Sequence, residues 1–183
     1  MKKLFLLIIA CLMTFAAPAA QVQMTTNKGV MVIDLDEENA PLTAANFLQY
    51  VRSGFFDGLI FHRIIPGFVI QGGGFMPEMQ RRPTAAPVPY ELNDLKNLQY
   101  TLSMARTQDP HSATSQFFIN LQDNARLDPQ GERPGYAVFG KVIEGQDVVD
   151  AIATVPTATV GPYSDVPQDD VIIEKAVIMG EKS

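Results

Sequence analysis

Residues 22–26 and 30–35 are β-favouring runs flanking Asn27-Lys28-Gly29, a turn signal that predicts an opening hairpin. The apolar period then lengthens. Leu42, Ala45, Phe47, Leu48 and Val51 follow Pro41 at helical spacing and stop before Gly54, which predicts a helix over 41–53 with a buried Phe47/Leu48/Val51 face. Two short apolar runs, containing Phe61, Ile64 and Ile65 and then Phe68, Val69 and Ile70, turn at Pro66-Gly67 and predict a strand pair within 61–74. Pro77, Pro83, Pro87 and Pro89 exclude a regular helix or central strand from 75–89, leaving a long surface loop.

Further strands are predicted over 98–104, 116–120 and 136–142, separated by polar loops at 107–114 and 124–135. Val148, Val149 and Ile152 after Gly145 predict a short second helix over 146–153, then a Pro- and Gly-broken loop over 155–167 and a final strand over 171–179. Eight short strands without strand–helix alternation predict a mainly β fold, a closed eight-stranded antiparallel barrel or a sandwich. The two helices would cap the ends of the barrel.

Composition changes this picture mainly at the N-terminus. Lys2 and Lys3 precede an apolar run over 4–15 and then Ala16-Ala17-Pro18-Ala19-Ala20, the parts of an export signal cleaved just after Ala19 or Ala20. The expected organisation is a cleavable leader over 1–20 and one domain over 21–183. A membrane anchor is the competing reading, but the run falls short of the roughly 20 apolar residues a spanning helix needs. Cys11 after Ile8-Ile9-Ala10 loosely resembles a lipoprotein cleavage site and offers lipid anchoring as a second outcome. No stable membrane insertion is expected once the leader is gone.

Losing the leader lowers the lysines and arginines from 14 to 12 against 20 acids, so the formal charge moves from −6 to −8. An acidic chain is a poor partner for nucleic acid, which is held by cations at its phosphates. Cys11 is the sole cysteine, so the mature chain has no disulfide, thiol nucleophile or cysteine metal ligand. With two histidines, His62 and His111, no metal site and no cofactor are expected.

The chemistry concentrates in FHRIIPGFVIQGGG at 61–74, which sets Arg63 and Gln71 among apolar residues. A buried charge without a partner is costly, so such an arginine is paired, at a rim, or functional. Taken with SMAR and ATSQFFIN within 103–120 and YAVFGKVIEGQDVVDAI at 136–152, this stretch resembles the cyclophilin-type peptidyl-prolyl isomerases over residues 22–179. The export leader and the longer loop before Ser115 look like that family's bacterial periplasmic branch. The resemblance implies a periplasmic, monomeric isomerase acting on proline-containing unfolded or flexible polypeptides.

By the same resemblance, Arg63 is the catalytic arginine, Gln71 the glutamine that orients it and His62 the neighbouring histidine. Phe68, Val69, Phe118 and Leu127 correspond to the apolar proline pocket, and Tyr136 to its rim. Ala105, Arg106 and Gln116 match the groove for the residue preceding proline. Arg126 stands where relatives carry tryptophan or phenylalanine, which implies weak cyclosporin binding. Arg106 replaces the usual asparagine.

Two other readings are weaker. A proline-binding chaperone with incidental isomerase activity would keep the same pocket. A serine hydrolase built on Ser115 lacks the G-x-S-x-G elbow. Gly72-Gly73-Gly74 has no following Lys-Ser/Thr for a phosphate cradle and reads as a flexible strand end.

Overall fold

A computed structural model describes residues 19–181, so the expected leader lies outside the described residues except for its last two positions. Strands β1 (Gln21–Thr26) and β2 (Gly29–Leu35) form the opening hairpin in the register Thr26↔Gly29. Helix α1 (Pro41–Arg52) buries Thr43, Ala44, Phe47, Leu48, Tyr50 and Val51. Its N-cap residue, Ala40, has no side chain able to accept a hydrogen bond. Glu91, far along the chain, supplies one instead: its carboxylate accepts from Leu42 N (3.0 Å), Thr43 N (2.9 Å) and Thr43 Oγ1 (2.7 Å).

The stretch at 61–74 forms β3 (Arg63–Ile65) and β4 (Val69–Gly72), paired with Arg63 opposite Gln71. The proline-rich segment after it is less irregular than expected, since β5 (Phe75–Met76) pairs with β6 (Gln80–Arg81). Strand β7 (Thr101–Met104) starts three residues later than the alternation predicts. Tyr100 sits at φ 65, donating its N–H to Asn120 O and accepting from Val142 N, which breaks the ladder before Thr101. Strands β8 (Phe117–Asn120) and β9 (Val138–Glu144) and helix α2 (Gln146–Ala153) follow close to their expected places.

The loop expected over 155–167 is a hairpin, β10 (Thr157–Val160) with β11 (Tyr163–Pro167). Its prolines stand at or between the strand ends, where they remove no needed ladder bond. Its largely exposed residues give no inward–outward alternation to read. Strand β12 (Ile173–Ile178) closes the chain against β1.

Eight strands form one antiparallel sheet in the order β12-β1-β2-β9-β7-β8-β4-β3. The closed barrel expected from the sequence is not formed: the sheet is an open, curled half-barrel, with no ladder joining the edge strands β12 and β3. Across the opening, Ile60 makes single-residue bridges to Phe75 and to Ile172 rather than a ladder. Backbone bonds from Phe61 N to Val171 O (2.9 Å) and from Gly58 N to Ile173 O (2.8 Å) satisfy the polar groups along that seam. Inside lies a packed aromatic core: the Phe47 ring is 5.0 Å from Phe56, 5.4 Å from Phe117 and 5.2 Å from Phe139. The interior is filled, so any site must lie on the outside of the sheet.

Candidate active site

Strand β3 is at the sheet edge, and alternation along it decides which side chains are available. Ile64 is fully buried in the core, so Arg63 and Ile65 turn outward and the Arg63 side chain is 39% exposed. His62, next to Arg63 along the extended chain, points the other way. Its ring packs 4.5 Å from that of Phe75, and its Nδ1 is buried without a hydrogen-bond partner. Burial, reinforced by the charges of Arg63 and Arg81, lowers its pKa to about 4, so the imidazole is neutral at pH 7. His62 therefore does not reach the cleft, contrary to the catalytic grouping implied by the sequence.

Arg63 opens onto a cleft of about 180 Å³ lined by Phe68, Val69, Gln71, Ala105, Arg106, Phe118, Leu127 and Tyr136. Every residue assigned to the proline pocket thus lies in one cleft, although they come from the β3–β4 hairpin, from β8, from the turn at 125–127 and from the entry to β9. Tyr136 stands edge-on to Phe118 with ring centroids 5.4 Å apart, forming an aromatic corner. A larger surface hollow of about 520 Å³, lined by Asp34, Glu37, Lys96 and Lys141 among others, has neither an arginine nor an aromatic wall to hold a proline ring.

The polar groups around the cleft divide differently from expectation. Gln71 does not hold Arg63: its Nε2 donates to Gln116 Oε1 at 3.1 Å. The Arg63 Nε instead faces Asp165 Oδ2 of β11 at 3.6 Å, a partner that the sequence, read as a loop there, gave no signal for. The Arg106 guanidinium donates to the carbonyls of Thr107 (2.9 Å), Pro134 (2.8 Å) and Gly135 (3.0 Å). It also lies 4.7 Å from the Tyr136 ring centre, so it clamps the loop that presents Tyr136. Arg126 is exposed and stacks over Phe68, 4.2 Å from its ring centre.

The glycines at 72–74 are close-packing positions, which corrects their reading as a flexible strand end. A Cβ at Gly73 would lie 2.6 Å from Ser115 O, and one at Gly74 would lie 2.5 Å from Gln116 Cγ. Among the described residues there is no group of three or more His, Cys, Asp or Glu able to hold a metal ion.

An apolar cleft edged by the Arg63 guanidinium, with Arg106 already engaged by backbone carbonyls and no serine or cysteine in its lining, suits a reaction without covalent chemistry. The model of the family described as "Cyclophilin type peptidyl-prolyl cis-trans isomerase/CLD" matches residues 21–178. The chain belongs to this family. It is 55% identical over 163 residues to a peptidyl-prolyl cis-trans isomerase of Streptomyces antibioticus, covering 87% of this chain and 98% of the relative. It is 52% identical to peptidyl-prolyl cis-trans isomerase B of Escherichia coli (strain K12), covering 84% and 96% of the two chains.

A Cryptosporidium parvum cyclophilin-type isomerase, crystallised in the presence of the dipeptide Ala-Pro, superposes with a TM-score of 0.76. It is 30% identical, with 88% of this chain and 99% of that one covered. This cyclophilin-type protein is accordingly an enzyme, a peptidyl-prolyl cis-trans isomerase, with the bond preceding proline in polypeptides as its target. No helix among its described residues is long and apolar enough to cross a membrane.

Proposed function

We propose that this isomerase accelerates X–Pro rotation in exported polypeptides and so assists their folding, with Arg63 stabilising the twisted amide. Rotation faces a barrier of about 18–20 kcal/mol because the C–N bond has partial double-bond character. Uncatalysed exchange takes tens to hundreds of seconds. In the twisted form resonance is lost and the proline nitrogen becomes pyramidal and basic. A guanidinium N–H can donate to that nitrogen more strongly than in either planar state, which is the differential binding that catalysis requires.

The observation that carries this reading is the placement of Arg63 at the edge of a cleft walled by Phe68, Val69, Phe118, Leu127 and Tyr136. Those walls would hold the proline ring and exclude water while the preceding carbonyl swings. The Gln71–Gln116 pair and Ala105 would receive the backbone of the preceding residue. Arg106 supports the rim, and His62, buried and neutral, takes no part in proton transfer.

The test is a prolyl isomerisation assay on the protein beside its Arg63→Ala variant, with circular dichroism to check the fold. Removing one preorganised donor costs on the order of 10²- to 10³-fold in rate in comparable electrostatic sites, and a loss of that size is expected here. An unchanged rate in a folded variant would overturn the mechanism.

Export rests on the basic, apolar and small-residue sequence of 1–20. The mature protein is proposed to be periplasmic and monomeric. Its intact mass, recovered from periplasmic extract, should correspond to a chain starting at Ala20 or Gln21. A mass for the uncleaved or lipidated chain would refute this.

A further inference from the structure

An arginine side chain has four flexible torsions, so something must aim Arg63. Gln71 is engaged with Gln116, and the cleft residues Phe68, Val69, Ala105, Phe118 and Leu127 have no side-chain acceptor. The group that meets Arg63 is the carboxylate of Asp165, 3.6 Å from Nε. Contact at Nε uses the edge of the guanidinium nearest the main chain and leaves both terminal nitrogens available to a substrate.

Asp165 is itself firmly held. It lies in β11 at φ 61, a left-handed conformation that aspartate tolerates better than most non-glycine residues. Its neighbour Val166 is buried, and Tyr163 of the same strand packs against Phe75 with ring centroids 5.5 Å apart. Phe75 in turn packs on His62, the residue before Arg63. The β10–β11 hairpin is thus joined to the arginine's own stretch at two points, once by charge and once through stacked rings.

The pairing is also selective. With 20 acids and 14 bases in the chain, the ion pairs among the described residues are Arg52–Glu181 and Arg63–Asp165. The first fastens the end of α1 to the C-terminal segment, and the second lies at the cleft.

We propose that Asp165 is a positioning residue for prolyl isomerisation, holding the Arg63 guanidinium by its Nε edge so that its terminal nitrogens face the cleft. This rests on the role proposed above for Arg63. Both side chains are more than a third exposed, so the pair adds little to stability. Its effect falls on the orientation of a flexible group in the transition state. An orienting contact of this strength corresponds to roughly a two- to fivefold change in rate.

Asp165→Asn, which keeps the tolerance of φ 61, should lower kcat by about that factor with KM and the thermal midpoint unchanged. Asp165→Ala should lower kcat similarly with a small drop in the thermal midpoint, and Asp165→Glu should recover part of the loss in kcat. In ¹⁵N relaxation measurements, the Nε–Hε group of Arg63 should become more mobile in Asp165→Ala. That of Arg106, which donates to Gly135 O, should not change. A wild-type or raised kcat in Asp165→Ala, a change confined to KM, or an Arg63 Nε order parameter that does not move would each overturn the inference. Arg63→Ala, assayed alongside, separates the two failures. If Arg63→Ala keeps its rate, the role of Arg63 is wrong. If it loses its rate while Asp165→Ala does not, only the role of Asp165 is wrong.

Discussion

Replacing His62 with phenylalanine should flatten the acid side of the protein's stability profile. The unfolded imidazole titrates near 6.5, whereas in the fold burial, with Arg63 and Arg81 nearby, lowers its pKa to about 4. Between these values the unfolded chain binds a proton that the folded protein refuses, so stability falls as pH falls through this window. At pH 5 the folded imidazole is still neutral while almost all of the unfolded form is charged. Linkage then gives a loss of about 2 kcal/mol between pH 7 and pH 5 from this one group.

Phenylalanine keeps the stacking on Phe75 and removes Nδ1, the one buried side-chain polar atom without a partner among the described residues. Urea unfolding of both proteins at pH 7 and pH 5 measures the effect. The variant should lose about 2 kcal/mol less than the wild type over that interval, with other carboxylates and histidines cancelling in the difference. NMR titration of the wild-type His62 ring provides a check that does not depend on the variant folding. It should show a neutral imidazole down to about pH 5, as the lowered pKa requires. Equal losses in the two proteins, or an imidazole that titrates near 6.5, would refute the reasoning.

Three further outcomes are expected. Glu91→Ala removes the cap from the α1 N-terminus and should lower the urea-derived stability by about 1–2 kcal/mol, with activity retained once folded. Gly74→Ala places a methyl group against Gln116 and breaks its bond with Gln71, so prolyl isomerisation should drop several-fold while the circular dichroism spectrum stays unchanged; wild-type kinetics would refute the role of that pair. Cyclosporin should bind weakly because Arg126 occupies the face of Phe68, and Arg126→Trp should tighten binding at least about tenfold by calorimetry; a nanomolar wild-type dissociation constant would contradict this.

Much of the architecture was legible because burial leaves a period in the sequence. Phe47, Leu48 and Val51 mark the inner face of α1, and the residue patterns around Phe117 and Phe139 mark their strands. What escaped carries no such period. The β10–β11 hairpin is mostly exposed, so it shows no alternation, and Asp165 was hidden with it. The α1 cap was invisible because Glu91 reaches it across 49 residues, where local capping signals do not extend. The resemblance named Phe68, Val69, Phe118, Leu127 and Tyr136 together, and they do line one cleft, but it gave no guide to the polar pairing, since hydrogen bonds depend on which acceptor lies nearest in space. His62 shares a motif with Arg63 while facing the opposite side of the chain.

The site's support follows from the kind of reaction it performs. With no covalent bond made or broken, the enzyme needs only a shape and a field that fit the twisted amide better than the planar one. A mobile wall would fit both. Beneath the cleft, Asn120 Nδ2 donates to Asn97 Oδ1 (3.3 Å) and Thr101 Oγ1 (3.0 Å), and its Oδ1 accepts from Asn124 Nδ2 (2.8 Å). Asn124 also donates to Phe68 O (2.9 Å), and Asn97 to Asp128 Oδ1 (2.9 Å), beside Leu127. These buried amides tie two walls of the cleft, Phe68 and Leu127, to strands β7 and β8. Such a network is costly unless every member is satisfied, and here each amide has partners. Rigid walls backed by buried amides and a guanidinium aimed from the β10–β11 hairpin are two separate devices, so pocket shape and charge placement can vary independently.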